Sequence, residues 1–119
     1  MKLEEQIVSL ELAKKLKELN VKQESYFHWY RYDGSSNANE FKIGRAVTPA
    51  SNLEITSAFT VAELGEMLPH DCRTRRSVDE KGKWLVDTLR SDRFFRAATE
   101  ADARAKMLIY LLEKKLIEV

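Results

Sequence analysis

Cysteine is almost missing: Cys72 is the only one in 119 residues, which excludes an internal disulfide framework and a cysteine-rich zinc module. Glycine and proline are also sparse, and the four scattered glycines form no phosphate-cradling loop. His28 and His70 are the only histidines, too few for a convincing imidazole metal site. Neither sign of charge dominates. Twenty Lys and Arg meet 19 Asp and Glu, and a net charge of +1 gives no global field toward nucleic acid or acidic lipid. The longest purely apolar run is Met107 to Leu112, far short of the roughly 20 residues of a membrane span. The opening residues lack the pattern of a secretory leader, so the expectation is a soluble, cytosolic protein with no membrane partner.

What is present is ordinary globular material. Hydrophobic residues make up 44% and charged residues 33%, enough for one modest core in a single domain, 1–119, with no linker long enough to divide it. Leu3 to Leu19 reads as an amphipathic helix, because Val8, Leu12, Leu16 and Leu19 fall on one stripe. It begins either near Leu3 or at Ser9 as N-cap, and Asn20 suits a left-handed cap at its end. Tyr26 to Tyr32 reads as a strand, with Phe27, Trp29 and Arg31 on one face and Tyr26, His28, Tyr30 and Tyr32 on the other. Asp33 to Asn37 is a turn, Phe41 to Val47 the returning strand, and Thr48 to Asn52 a loop.

Leu53 to Ala58 reads as a short extended piece. Thr60-Val61-Ala62-Glu63 is a capping box opening a short helix that Pro69 stops, and Gly65 inside that helix implies a close backbone approach. Cys72 to Arg76 and Lys83 to Leu89 flank the turn Asp79 to Gly82 as a second hairpin, and Phe94 to Ala97 adds a short strand. Thr99 caps a last helix, Glu100 to about Lys115. The fold class is α+β, with the plan α-β-β-α-β-β-α and a mainly antiparallel, twisted sheet covered by the first and last helices. Phe27, Trp29, Ile43, Leu64, Trp84, Val86, Leu108 and Leu112 are the expected core.

Three constellations could carry chemistry. His70-Asp71-Cys72 holds ligand-type side chains, but consecutive residues on an extended chain point to opposite faces and do not converge on one ion. Five of the 11 aromatic residues lie between Tyr26 and Tyr32, where rings could stack bases or, more ordinarily, fill a core and an interface. The hairpin around residues 73–83 is basic, with Arg73, Arg75, Arg76 and Lys83 as candidate phosphate contacts; equally, charge keeps an edge hairpin soluble. Residues 1–71 carry eight basic and eleven acidic side chains, while 72–119 carry twelve and eight, so the chain is mildly bipolar. Glu63 and Glu66 are three apart on one helix, with nothing to support an acid/base pair.

Three stretches carry a resemblance. They are Val21 to Ser25 with the aromatic strand through Trp29, Phe59 to Pro69, and Thr99 to Leu108. In this order they resemble a group of short uncharacterised proteins encoded in prophages and other mobile regions of bacterial genomes. The last stretch is similar to the closing helix of small phage α/β sandwich proteins. The resemblance covers most of the chain and implies a phage-derived context, without an activity or site residues. It departs from the group's pattern at Asn20, where a glycine is common; both residues serve a helix end.

With no convergent nucleophile, base, metal cluster or cofactor loop, the expected function is a non-catalytic interaction or structural module needing no cofactor or metal. The alternative is a small nucleic-acid-binding protein using the basic hairpin. Six successive apolar residues circle the last helix completely, which predicts a homodimer through Met107 and Tyr110, with Tyr30 and Tyr32 as further contact residues. The competing expectation is that the first helix folds over that side.

Overall fold

The computed structural model describes residues 2–32, 41–45, 47 and 53–118. The expected turn at 33–37 and loop at 48–52 lie outside the described residues.

The amphipathic pattern of the first segment is interrupted by backbone pairing. Leu3–Gln6 form α1 and Leu10–Glu18 form α2, while Ile7 and Val8 between them are extended and buried. Ile7 bridges to Thr60, and the Val8 amide donates to the Phe59 carbonyl at 2.9 Å. Asn20 takes the left-handed conformation expected of it, φ 66°, and lets the Val21 amide reach back to the Leu16 carbonyl.

The strands β1 (Phe27–Tyr32), β2 (Lys42–Arg45) and β3 (Leu53–Ala58) form an antiparallel sheet ordered β2-β1-β3. A second antiparallel sheet is ordered β4-β5-β6, from Cys72–Arg76, Trp84–Thr88 and Phe94–Ala97. The α+β class is that implied by the sequence, and the order roughly follows the expected plan, with the first helix split in two, a third strand in each half and the strands divided between two sheets. The outer edge of β3 has a physical reason not to pair further. Gln23 Oε1 accepts from the Ser57 amide at 2.8 Å, and Lys17 Nζ donates to the Ile55 carbonyl at 2.6 Å.

Each sheet leads into a helix through the same device. In α3 (Val61–Met67), Thr60 accepts from the Glu63 amide, and Glu63 Oε1 accepts from the Thr60 amide at 2.9 Å. In α4 (Glu100–Glu113), Thr99 accepts from the Asp102 amide at 3.2 Å. Gly65 makes the close approach its position implied: a Cβ there would stand 2.1 Å from Arg104 Nη1, which donates to the Val61 carbonyl.

α4 lies between two apolar clusters. Ala101, Ala105, Leu108 and Ile109 join Val8, Leu16, Phe59 and Leu64 on one side. Ala103, Met107 and Leu111 join Val86 and Ala97 on the other. The chain itself therefore covers two sides of the helix, while Tyr110 and Leu112 stay half-buried. This corrects the expectation for Met107, whose side chain is fully buried against the second sheet and cannot meet another copy.

Of the expected core, Leu64, Val86 and Leu108 are fully buried. Phe27, Trp29, Ile43, Trp84 and Leu112 are only half-buried. Trp29 donates from its indole nitrogen to the Val8 carbonyl at 3.0 Å, and Trp84 is roofed by the Arg76 guanidinium, 4.9 Å from its ring. The largest fully buried side chains are instead headed by Phe59, Ile7 and Leu16.

Candidate functional site

Alternation along the second sheet sorts its residues into two faces. Arg73, Asp87 and Phe94 occupy one row across the three strands, and Arg75, Leu85 and Arg96 the row beside it, all on one face. Thr74, Val86 and Phe95, with Arg76, Trp84 and Ala97, occupy the other. That second face receives α4, because Val86 and Ala97 cluster with Met107 and Leu111. Among the described residues, the helix with extensive contacts to this sheet is α4, and it lies on that second face. The first face forms a cleft of about 430 Å³.

Electrostatics organises this open face. The Asp87 carboxylate, 21% exposed, is the anion of the Arg73–Asp87–Phe94 row. Arg73 donates to both its oxygens, at 3.2 and 3.4 Å, and Arg75 Nη2 lies 4.0 Å from Oδ2. Both arginine side chains nevertheless stay open to water, at 71% and 60%. Arg96 lies 3.4 Å from Asp79 and 3.7 Å from Glu80, with its guanidinium 5.0 Å from the Phe94 ring. Exposed pairs of this kind are worth about 0–1 kcal/mol, so they orient the guanidinium groups without locking them. Arg93 lines the same cleft, and Phe94 and Val78 add exposed apolar surface. The result is a set of guanidinium groups on one sheet face beside one exposed ring.

The four basic residues expected to act together are divided. Arg73 and Arg75 are on the open face, whereas Arg76 faces the opposite way over Trp84. Lys83 is half-buried just before β5, its carbonyl accepting from the Ser77 amide at 2.9 Å. Arg96 and Phe94 were not evident from the sequence alone. The only available signal was the Phe94/Arg96 alternation, which has meaning once β6 is known to be in register with β5.

The aromatic strand belongs to the other sheet, so it does not extend this array. Tyr30 lies over Gly44, where a Cβ would stand 2.9 Å from its ring, and meets Tyr32 edge-on at 5.9 Å. Tyr32 is exposed, and Tyr110, half-buried, shares a 3.2 Å hydrogen bond with the Ser91 hydroxyl. His28 stands directly opposite Ser57, and His28 Nδ1 and Ser57 Oγ are both buried with no hydrogen-bond partner. Burial pulls the His28 pKa below its ordinary value, against the backbone of Gln23 and the charge of Glu63.

His70, Asp71 and Cys72 separate as their spacing implied. His70 is exposed, Asp71 pairs with Arg90 at 2.9 Å, and Cys72 is half-buried on the helix-covered face. Burial pushes the Cys72 thiol pKa up, partly opposed by a hydrogen bond with Thr88. Among the described residues, no three His, Cys, Asp or Glu side chains group to hold a metal ion, and no helix is long and apolar enough to cross a membrane. Comparison of the chain with protein-family models, curated proteins and solved structures finds no match.

Proposed function

We propose that this chain is a non-catalytic interaction module whose contact surface is the open face of the second sheet. The observation carrying this reading is that Arg73, Arg75, Arg96 and Phe94 share one face, opposite the face on which α4 lies. Arginine and aromatic side chains are enriched where protein interfaces concentrate their binding energy. The half-buried Asp87 orients two of the guanidinium groups, without locking them, before a partner arrives. A phage-derived context and a cytosolic location fit such a module.

The test is co-purification from the native host with the wild-type chain and with an Arg73→Glu, Phe94→Ser double variant. The expected result is a discrete partner lost from the variant but retained by Tyr32→Ser, on the other sheet. An identical set of partners for both variants would sink the reading.

One observation favours a second reading, a small nucleic-acid-binding protein. Arg96 adds to Arg73 and Arg75 beside the exposed Phe94 ring, and guanidinium groups with an aromatic platform can hold single strands. Titration of labelled single- and double-stranded oligonucleotides decides it, with low salt as the most permissive condition. Absence of binding there ends this second reading and leaves the first standing.

A further inference from the structure

On the far side of the second sheet, α2 and α4 wall a groove of about 570 Å³. Its floor is Leu12, Phe95, Ile109 and Tyr110. Phe95 and Tyr110 pack ring to ring at 5.5 Å, and the Arg93 guanidinium caps both, at 5.8 and 5.5 Å from their centroids. The α4 wall presents Lys106, Tyr110 and Glu113 at helical spacing, so the groove follows that helix for about two turns.

The rim is unequally charged. Lys15 and Glu113 face each other across the helices at 3.5 Å and cancel. Arg93, Lys106 and Lys114 remain against Glu11 alone. Lys106 donates to the Arg96 carbonyl at 2.9 Å, which fixes its ammonium at the groove while leaving its charge uncompensated.

We propose that this groove is a second docking surface, which seats an amphipathic helix with an acidic polar face. The apolar floor takes the helix's hydrophobic stripe, and the three cations take carboxylates along its margin. A groove elongated between two helices is the shape that helix-in-groove recognition uses. The proposal stands apart from the reading of the sheet face, since it concerns the opposite face of the same sheet. Arg93 lines both clefts and is therefore left unaltered in the test.

The experiment titrates the isotope-labelled chain with a synthetic helix of about 18 residues, carrying leucine at i, i+3, i+4 and i+7 and glutamate elsewhere. A companion peptide has lysine in place of every glutamate. The expected result is amide shifts centred on Leu12, Ile109 and Lys114, with binding about tenfold weaker for the lysine peptide. Lys114→Gln, which removes the charge at an exposed position without placing an anion at the end of α4, is expected to weaken the glutamate peptide about two-fold with little change in melting temperature. Equal affinity for both peptides, shifts centred elsewhere, or no shift at about millimolar peptide would overturn the proposal. Shifts at the same residues that grow with protein concentration alone would assign the groove to a second copy instead. Tighter binding of a free alkyl carboxylate would assign it to a small anionic amphiphile. None of these outcomes alters the co-purification result on which the sheet-face reading depends.

Discussion

The backbone amide of Ser9 donates a 2.7 Å hydrogen bond to Asp102 Oδ1, joining residues 93 apart in the chain. Ser9 is the N-cap of α2, and its own side chain makes no capping bond. Asp102 stands where Glu63 stands in the earlier sheet-to-helix junction. Its side chain is one methylene shorter than that of Glu63, which reaches back to its own N-cap amide. Asp102 serves the start of another helix instead. Asp102→Ala is therefore expected to lose about 1–3 kcal/mol, because it strips a partner from a part-buried amide. Urea unfolding measures this, and a loss near zero would mean that water replaces the carboxylate.

Gly65 and Arg104 make a coupled pair. Alanine normally favours a helix interior over glycine by about 1 kcal/mol, but here its Cβ would displace the Arg104 guanidinium from the Val61 carbonyl. Gly65→Ala alone is expected to give no stabilisation. In an Arg104→Ala background the same change is expected to stabilise by about 0.5–1 kcal/mol. A double-mutant cycle measures the difference, and equal effects in both backgrounds would contradict the contact.

His28 gives stability a pH dependence of defined sign. Its pKa is lowered on folding, so the unfolded chain binds the proton more readily. The contribution is fully present above the unfolded value of 6.5 and declines as pH falls below it. Urea midpoints taken at neutral pH and near pH 5 should diverge less for His28→Gln than for the wild type. An unchanged divergence would place the titrating group elsewhere.

Cys72 should behave as a packing residue. Its raised pKa leaves less thiolate at neutral pH than a free cysteine has, so alkylation is expected to be slow and to accelerate with rising pH. Cys72→Ser should fold and bind as the wild type does. Rapid labelling at neutral pH would contradict the burial described for this side chain.

The elements were largely legible because their signals are local. Thr60 with Glu63, Thr99 with Asp102, Pro69 after α3 and Asn20 after α2 each mark a helix end by their own chemistry. Ser9 as N-cap was one of the two helix starts the sequence offered, and it is the one observed. The short α1 before it and the extended Ile7 and Val8 were not legible, since only pairing with Phe59 and Thr60 pulls those two straight. Met107, expected at a contact surface, is buried because one chain supplies covering layers on two sides of α4, which an all-round apolar helix does not reveal in sequence. At the candidate site, Arg73 and Arg75 could be picked out in sequence. Arg96 and Phe94 needed the β5-β6 register to bring them alongside.

The contact surface proposed for this chain is the open face of the second sheet. A photo-crosslinking amino acid in place of Phe94, expressed in the native host, tests it most directly, with the same probe at Tyr26, exposed beside the first sheet, as control. A discrete crosslinked species is expected from position 94 and none of that mass from position 26. No product from position 94, or the same product from both positions, would contradict it.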